Sequence, residues 1–130
     1  MKRLLLLMTL LMSICTLKAQ TYKYHTNSFS YKYCENGSWT DWSPWVKSDI
    51  LIVLNLDRKI FNIYSEDRQD YDIYEYSGEE TDSDGGSSIK FQCVNEDGLR
   101  CQVRLRIQKD RSRQLYVDFN DIIWVYGLKD

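Results

Sequence analysis

Residues 89–108 read Ile-Lys-Phe-Gln-Cys-Val-Asn-Glu-Asp-Gly-Leu-Arg-Cys-Gln-Val-Arg-Leu-Arg-Ile-Gln, and their alternation decides the fold class. From Leu99, the residues Leu99, Cys101, Val103, Leu105 and Ile107 fall on one face, with Arg100, Gln102, Arg104, Arg106 and Gln108 on the other. A period of two is that of a half-buried strand. Ile89, Phe91 and Cys93 alternate with Lys90 and Gln92 ahead of it. The two runs meet at Glu96-Asp97-Gly98, where Gly98 supplies the left-handed conformation that closes a three-residue hairpin loop. This loop pairs Asn95 with Leu99 and sets Cys93 opposite Cys101.

The same pattern recurs on both sides. Asn36-Gly37 is a strong two-residue hairpin signal; it opposes Glu35 with Ser38, Lys32 with Asp41 and Tyr31 with Trp42. Pro44 then ends or bends the strand near Trp45. Ile50, Ile52, Leu54 and Leu56 share a face, and after a turn at Asp57-Arg58 the residues Phe61 and Ile63 return opposite Leu54 and Ile52. Tyr71–Tyr76 reads as a strand whose aromatics do not all share a face, and Gly78–Ser87 as one long, polar, irregular connection. Leu115, Val117 and Phe119 turn at Asn120-Asp121 to meet Tyr126, Trp124 and Ile122.

No helical period appears beyond the first residues. Eight or nine short strands joined by short turns predict an all-β antiparallel meander. It is expected to close into an up-and-down, lipocalin-like barrel of about eight strands, because closure removes exposed edges. A two-sheet sandwich is the other expectation.

The chain opens with Lys2-Arg3, an apolar run from Leu4 to Leu17, and Lys18-Ala19 before Gln20. This is the pattern of a secretory signal peptide over residues 1–19, leaving a single β domain over 20–130 that is periplasmic or secreted. A lipoprotein anchored at Cys15 is the minor alternative, since Leu11–Cys15 resembles a bacterial lipobox apart from Ile14, where a small residue is expected. No later stretch is long and apolar enough for a transmembrane segment. Of the 17 basic residues, Lys2, Arg3 and Lys18 lie in the leader; the 14 that remain face 19 acidic ones, a net charge of −5. That balance argues against a nucleic-acid partner. Three cysteines remain after the leader, and in an oxidising compartment Cys93–Cys101 is the expected disulfide, with Cys34 left over.

Candidate functional residues fall into two groups. Trp39, Trp42 and Trp45 lie in a stretch, Trp39-Thr-Asp-Trp42-Ser-Pro-Trp45, that resembles the WxxWxxW segment of thrombospondin type 1 repeats. Its second half resembles the WSxWS box of cytokine receptors, although Val46 stands where that box has serine. The first resemblance implies tryptophans layered with arginines; physically, such rings stack on sugars or an apolar ligand, or plug a barrel end. Arg100, Arg104 and Arg106 form a basic stripe that could dock an anionic partner. Asp82 and Asp84 with Gly85-Gly86 are a weak calcium candidate, and no other metal site or cofactor is expected. His25 is the only histidine and has no nucleophile motif beside it. Glycoside cleavage by paired carboxylates remains the one enzymatic route.

These features predict a non-enzymatic exported barrel. It would bind a small apolar or glycan ligand or an anionic partner such as an envelope or extracellular protein. The rival expectation is a structural or interaction protein with a filled core and no small-molecule site.

Overall fold

A computed structural model describes residues 21–129; the expected signal peptide over residues 1–19, its expected cleavage site and the alternative lipid-bearing Cys15 lie outside the described residues. Ten strands follow in order: β1 (Thr21–Glu35), β2 (Ser38–Trp39), β3 (Val46–Lys47), β4 (Leu51–Asn55), β5 (Ile60–Ile63), β6 (Gln69–Thr81), β7 (Ser87–Asn95), β8 (Arg100–Ile107), β9 (Arg113–Asp118) and β10 (Ile122–Leu128). All pairings are antiparallel. From β4 to β10 each strand pairs with the next, and β1 closes the ring by pairing with both β4 and β10. The result is an eight-stranded up-and-down barrel with β2 and β3 added outside on β1.

The hairpins obey the sequence pattern. Cys93 faces Cys101, and the Asn95 amide donates to the Leu99 carbonyl at 2.9 Å. Gly98 takes a φ of 80°, as the loop requires. Leu54 faces Phe61, Ile52 faces Ile63, Val117 faces Trp124 and Leu115 faces Tyr126. Each in-register set of apolar residues points inward. Ile52, Phe61, Ile63, Cys93, Val103, Leu115 and Val117 are wholly shielded from solvent across the middle of the barrel.

Two expectations are corrected. The stretch from Gly78 to Ser87 is not one irregular connection: β6 runs on to Thr81 and only residues 82–86 form a turn, because β6 absorbs its misfit through two bulges, at Ile73/Glu75 and at Tyr76/Gly78. A bulge reverses the alternation. Tyr71 and Ile73 face inward ahead of the first bulge, and Tyr76 does so after it, opposite Phe91. The uneven aromatic pattern of Tyr71–Tyr76 is thus a bulge written in sequence.

The Asn36-Gly37 hairpin keeps its register only briefly. Glu35 faces Ser38 and Cys34 faces Trp39 as expected, but Ser43, rather than Trp42, then bonds Tyr31 (N to O, 2.7 Å). Side-chain oxygens impose this one-residue slip: Thr40 Oγ1 and Ser43 Oγ accept the Tyr33 and Tyr31 amides at 3.1 and 2.9 Å, and Ser30 Oγ donates to the Ser43 carbonyl at 2.6 Å. Lys32 consequently lies over Trp42 instead of beside Asp41.

Because Phe61 is fully buried in the sealed middle, Phe61→Ala is expected to lower stability by about 3–5 kcal/mol in denaturant titration. Lys23→Ala, on the exposed side of β1, should change it by no more than about 0.5 kcal/mol. Equal losses at the two positions would contradict a core centred on this layer.

Candidate functional site

The sealed middle layer divides the barrel interior into two mouths that share no lining residue. The first opens where β1 begins and the β4–β5 turn lies. It is a cavity of about 560 Å³ walled by Tyr24, Leu54, Leu56, Ile73, Tyr76, Ile89, Phe91 and Leu105, with Tyr22 and Tyr74 at its rim. Lys59 and Glu75 are the charged residues lining it. Bulging of β6 builds one wall, bringing Tyr76 to 5.5 Å from Phe91, ring centre to ring centre. Burial pushes the Tyr24 hydroxyl above its ordinary range, against the pull of the Arg113 guanidinium 5.7 Å from its ring.

The second mouth, of about 600 Å³, opens at the opposite end between the β3–β4 connection and the β5–β6 turn. Its walls mix rings with polar groups. Phe29 and Tyr126 lie 5.2 Å apart and Phe119 and Trp124 5.3 Å apart. The Tyr71 hydroxyl donates to Gln69 Oε1 at 2.5 Å, and Gln69 Nε2 donates to Ser65 Oγ at 3.0 Å and to the Tyr126 hydroxyl at 3.3 Å. Burial raises both tyrosine hydroxyls above their ordinary range.

The tryptophans and arginines predicted as separate sites meet in part, and on the outside of the barrel. The 40–45 segment folds across the outer face, where Trp42 meets Tyr116 edge-on at 6.2 Å and the Arg104 guanidinium lies 4.2 Å from the same Tyr116 ring. Lys32 sits 4.7 Å from Trp42 and 5.6 Å from Trp39. Trp39, Lys32, Trp42, Tyr116 and Arg104 thus form a cation–aromatic ladder, and Trp39 and Trp42 do not plug the barrel. Trp45 stands apart, with no stacking partner among the described residues and half of its surface exposed.

The basic stripe is largely neutralised within the chain. Arg104 grips Asp118 with two bonds, 2.5 and 3.2 Å. Arg106 binds Asp82 at 3.2 Å and Asp84 at 2.8 Å, and Arg100 lies 5.6 Å from the Tyr74 ring. The calcium candidate is corrected by the same contacts, since a guanidinium occupies the space between the two carboxylates where a cation would have to sit. The Gly86 amide, donating to Asp84 Oδ1 at 3.1 Å, together with Arg106, holds the Asp84 carboxyl below the ordinary aspartate range.

The disulfide expectation is also corrected. Cys93 and Cys101 face one another in register, yet both are free thiols, as is Cys34. Cys93 Sγ turns along its own strand toward the Phe91 carbonyl, 3.8 Å away. Burial pushes both thiols up to about 12, which keeps them protonated and unreactive. The His25 side chain is exposed and makes no hydrogen bond among the described residues.

The Asp70 and Glu96 carboxyls interact directly. Glu96 hydrogen-bonds Asp70 and is raised by sharing that proton; burial would raise Asp70 too, but hydrogen bonds from Asn62 (2.6 Å) and Arg68 (3.0 Å) win and hold it low. Groups in direct contact leave no room for a glycosidic bond, whose cleavage needs carboxyls about 5–9.5 Å apart.

Neither mouth was legible as such in the sequence. The inward alternation identifies their walls, but which inward residues meet and which leave space depends on the bulges and on the stagger of the strands. Comparison with protein-family models, curated proteins and solved structures finds no match. The class that the fold defines is a small closed antiparallel barrel with a solid waist and two open ends.

The thiol assignment is testable by alkylation and peptide mapping without reductant. Cys34, part-exposed, should react first in the folded protein, with Cys93 and Cys101 labelled only on unfolding. A linked Cys93–Cys101 peptide would contradict it.

Proposed function

We propose that the protein is a non-enzymatic binding module, exported by its leader, that takes a small apolar ligand in the first mouth. The observation carrying this reading is the mouth itself, an apolar cavity of about 560 Å³ set in a barrel whose waist is solid. Small-molecule sites are commonly about 300–1,000 Å³, apolar-walled, with a few polar groups. Lys59 and Glu75 at the lining are the polar groups available to orient a ligand. Two observations favour a binder over a catalyst: the touching Asp70–Glu96 pair has no space for substrate, and the His25 side chain makes no hydrogen bond among the described residues. Export rests on the charged start and apolar run of residues 1–19.

A second reading is an interaction protein that uses its outer face. The half-exposed Trp39 and Trp42 rings, held by Lys32, favour it as a place for glycan or protein contact.

One titration separates the two. N-phenyl-1-naphthylamine, a neutral apolar fluorophore, should bind saturably at one site per chain, and Ile73→Glu should weaken it at least about tenfold by placing a charge in the apolar wall. Trp42→Ala should leave the affinity unchanged. Absence of saturable binding, or loss of binding in Trp42→Ala with none in Ile73→Glu, would overturn the proposal.

A further inference from the structure

One arginine belongs to the inner face of the barrel. Along β9, Arg113 alternates with the fully buried Leu115 and Val117, and it pairs with Ile107 and with the buried Leu128 on the two neighbouring strands. This register sets its side chain inward, at the end where the first mouth opens. The guanidinium stands 5.7 Å from the centre of the Tyr24 ring, which is part of that mouth's wall. Arg113 also lines a recess of about 120 Å³ that adjoins the first mouth across Tyr24, Ile89 and Leu105, residues common to both. Ser87, on the inner face of β7 two residues before Ile89, brings a hydroxyl to the recess.

The charge of Arg113 is unspent. It donates one hydrogen bond, from Nη2 to the Lys129 carbonyl at 2.7 Å, and forms no ion pair among the described residues. A guanidinium has further N–H donors to give. The other charges nearby have counterparts. Arg106, which also reaches the recess, is held by Asp82 and Asp84, and the Lys109 side chain lies across Gly85 of the same turn. Lys59 and Glu75 offset one another in sign at the first mouth, and Glu79, facing Ile89 from β6, lines neither cavity. A cation part-shielded among apolar walls gains most from an anion that takes two parallel N–H bonds, which is what a carboxylate does. We propose that the ligand of the first mouth is a carboxylate with an apolar tail, the tail lying against Leu54, Ile73 and Phe91 and the head at Arg113. This rests on the reading of the first mouth as an apolar site, and adds the head group and the residue that selects it.

Displacement of bound N-phenyl-1-naphthylamine at neutral pH provides the readout. Three probes share one alkyl chain and differ in the head: decanoate, 1-decanol and decylammonium. Decanoate should compete at least about tenfold more tightly than 1-decanol, the gain expected from charge-assisted hydrogen bonds, and decylammonium no more tightly than 1-decanol. In Arg113→Gln, with folding checked by circular dichroism, decanoate should fall to the level of 1-decanol. Arg113→Lys keeps the charge and loses the two-pronged donor, so its preference should be intermediate; it serves if the glutamine variant does not fold. Arg111→Gln, which removes an exposed positive charge two residues away, should keep the full preference.

The proposal is overturned if decanoate and 1-decanol displace the fluorophore equally, or if the preference for decanoate survives Arg113→Gln. Equal losses in Arg111→Gln and Arg113→Gln would also overturn it, by showing a general pull of positive charge rather than a seat at Arg113. In each of these cases the first mouth stands as a site for neutral apolar ligands. Absence of saturable naphthylamine binding overturns the reading of the first mouth itself, and this proposal with it, so the two failures are told apart.

Discussion

The barrel depends on one strand pairing in two directions. β1 gives Thr21–His25 to β4 and Thr26–Tyr33 to β10, with an irregularity between Thr26 and Ser28 where the change occurs. Thr26 is fully buried at that joint. Its amide donates to the Ile50 carbonyl at 3.0 Å, its hydroxyl accepts from the Ile50 amide at 2.9 Å, and Ser48 Oγ lies 2.9 Å from the same hydroxyl. The chain end fastens there too, the Lys129 amide donating to the His25 carbonyl at 2.7 Å. Without this joint, β4 and β10 would be two open edges, each a template for unwanted pairing.

Closure accounts for the arrangement of possible binding surfaces. An eight-stranded barrel has an interior just wide enough to fill with side chains or to hold one small ligand, and this one does both along its length. Large residues from several strands meet at the waist and exclude everything else. Toward each end the strands are staggered, the inward side chains no longer meet, and a cavity is left. The two cavities then differ according to their walls: β6 with its bulges lines one with aliphatic and aromatic carbon, and Gln69, Ser65, Tyr71 and Tyr126 bring polar groups to the other. Outside the barrel, Arg104 and Arg106 are tied to Asp118, Asp82 and Asp84 while Arg100 lies over the Tyr74 ring, so the stripe serves chiefly to hold strands and the 82–86 turn in place.

Much of this architecture is legible in the residues. Alternation and turn chemistry suffice to pair Cys93 with Cys101, Leu54 with Phe61 and Val117 with Trp124, since a slip of one residue would turn an apolar face outward. What escapes the sequence is decided by long-range geometry. The slip at Ser43 follows from hydroxyls of Ser30 and Thr40 that only the folded chain brings close. The β6 bulges could be suspected from Tyr71–Tyr76, whose aromatics fit no single face, but not located. The paired arginines and aspartates lie up to 24 residues apart, so a basic stripe in sequence is no measure of exposed charge. Cys93 and Cys101 show the same limit: register places them opposite, while Cys93 Sγ turns toward the Phe91 carbonyl and both remain free thiols.

Amide hydrogen exchange along β1 tests closure most directly. If the strand seals the barrel, the amides bonded to β4 at one end and those bonded to β10 at the other should exchange at rates comparable to the β7–β8 hairpin, requiring the barrel to open as a unit. Exchange of either half of β1 at the rate of the 82–86 turn, with β7–β8 still protected, would show an open sheet and contradict the closed, two-mouthed barrel.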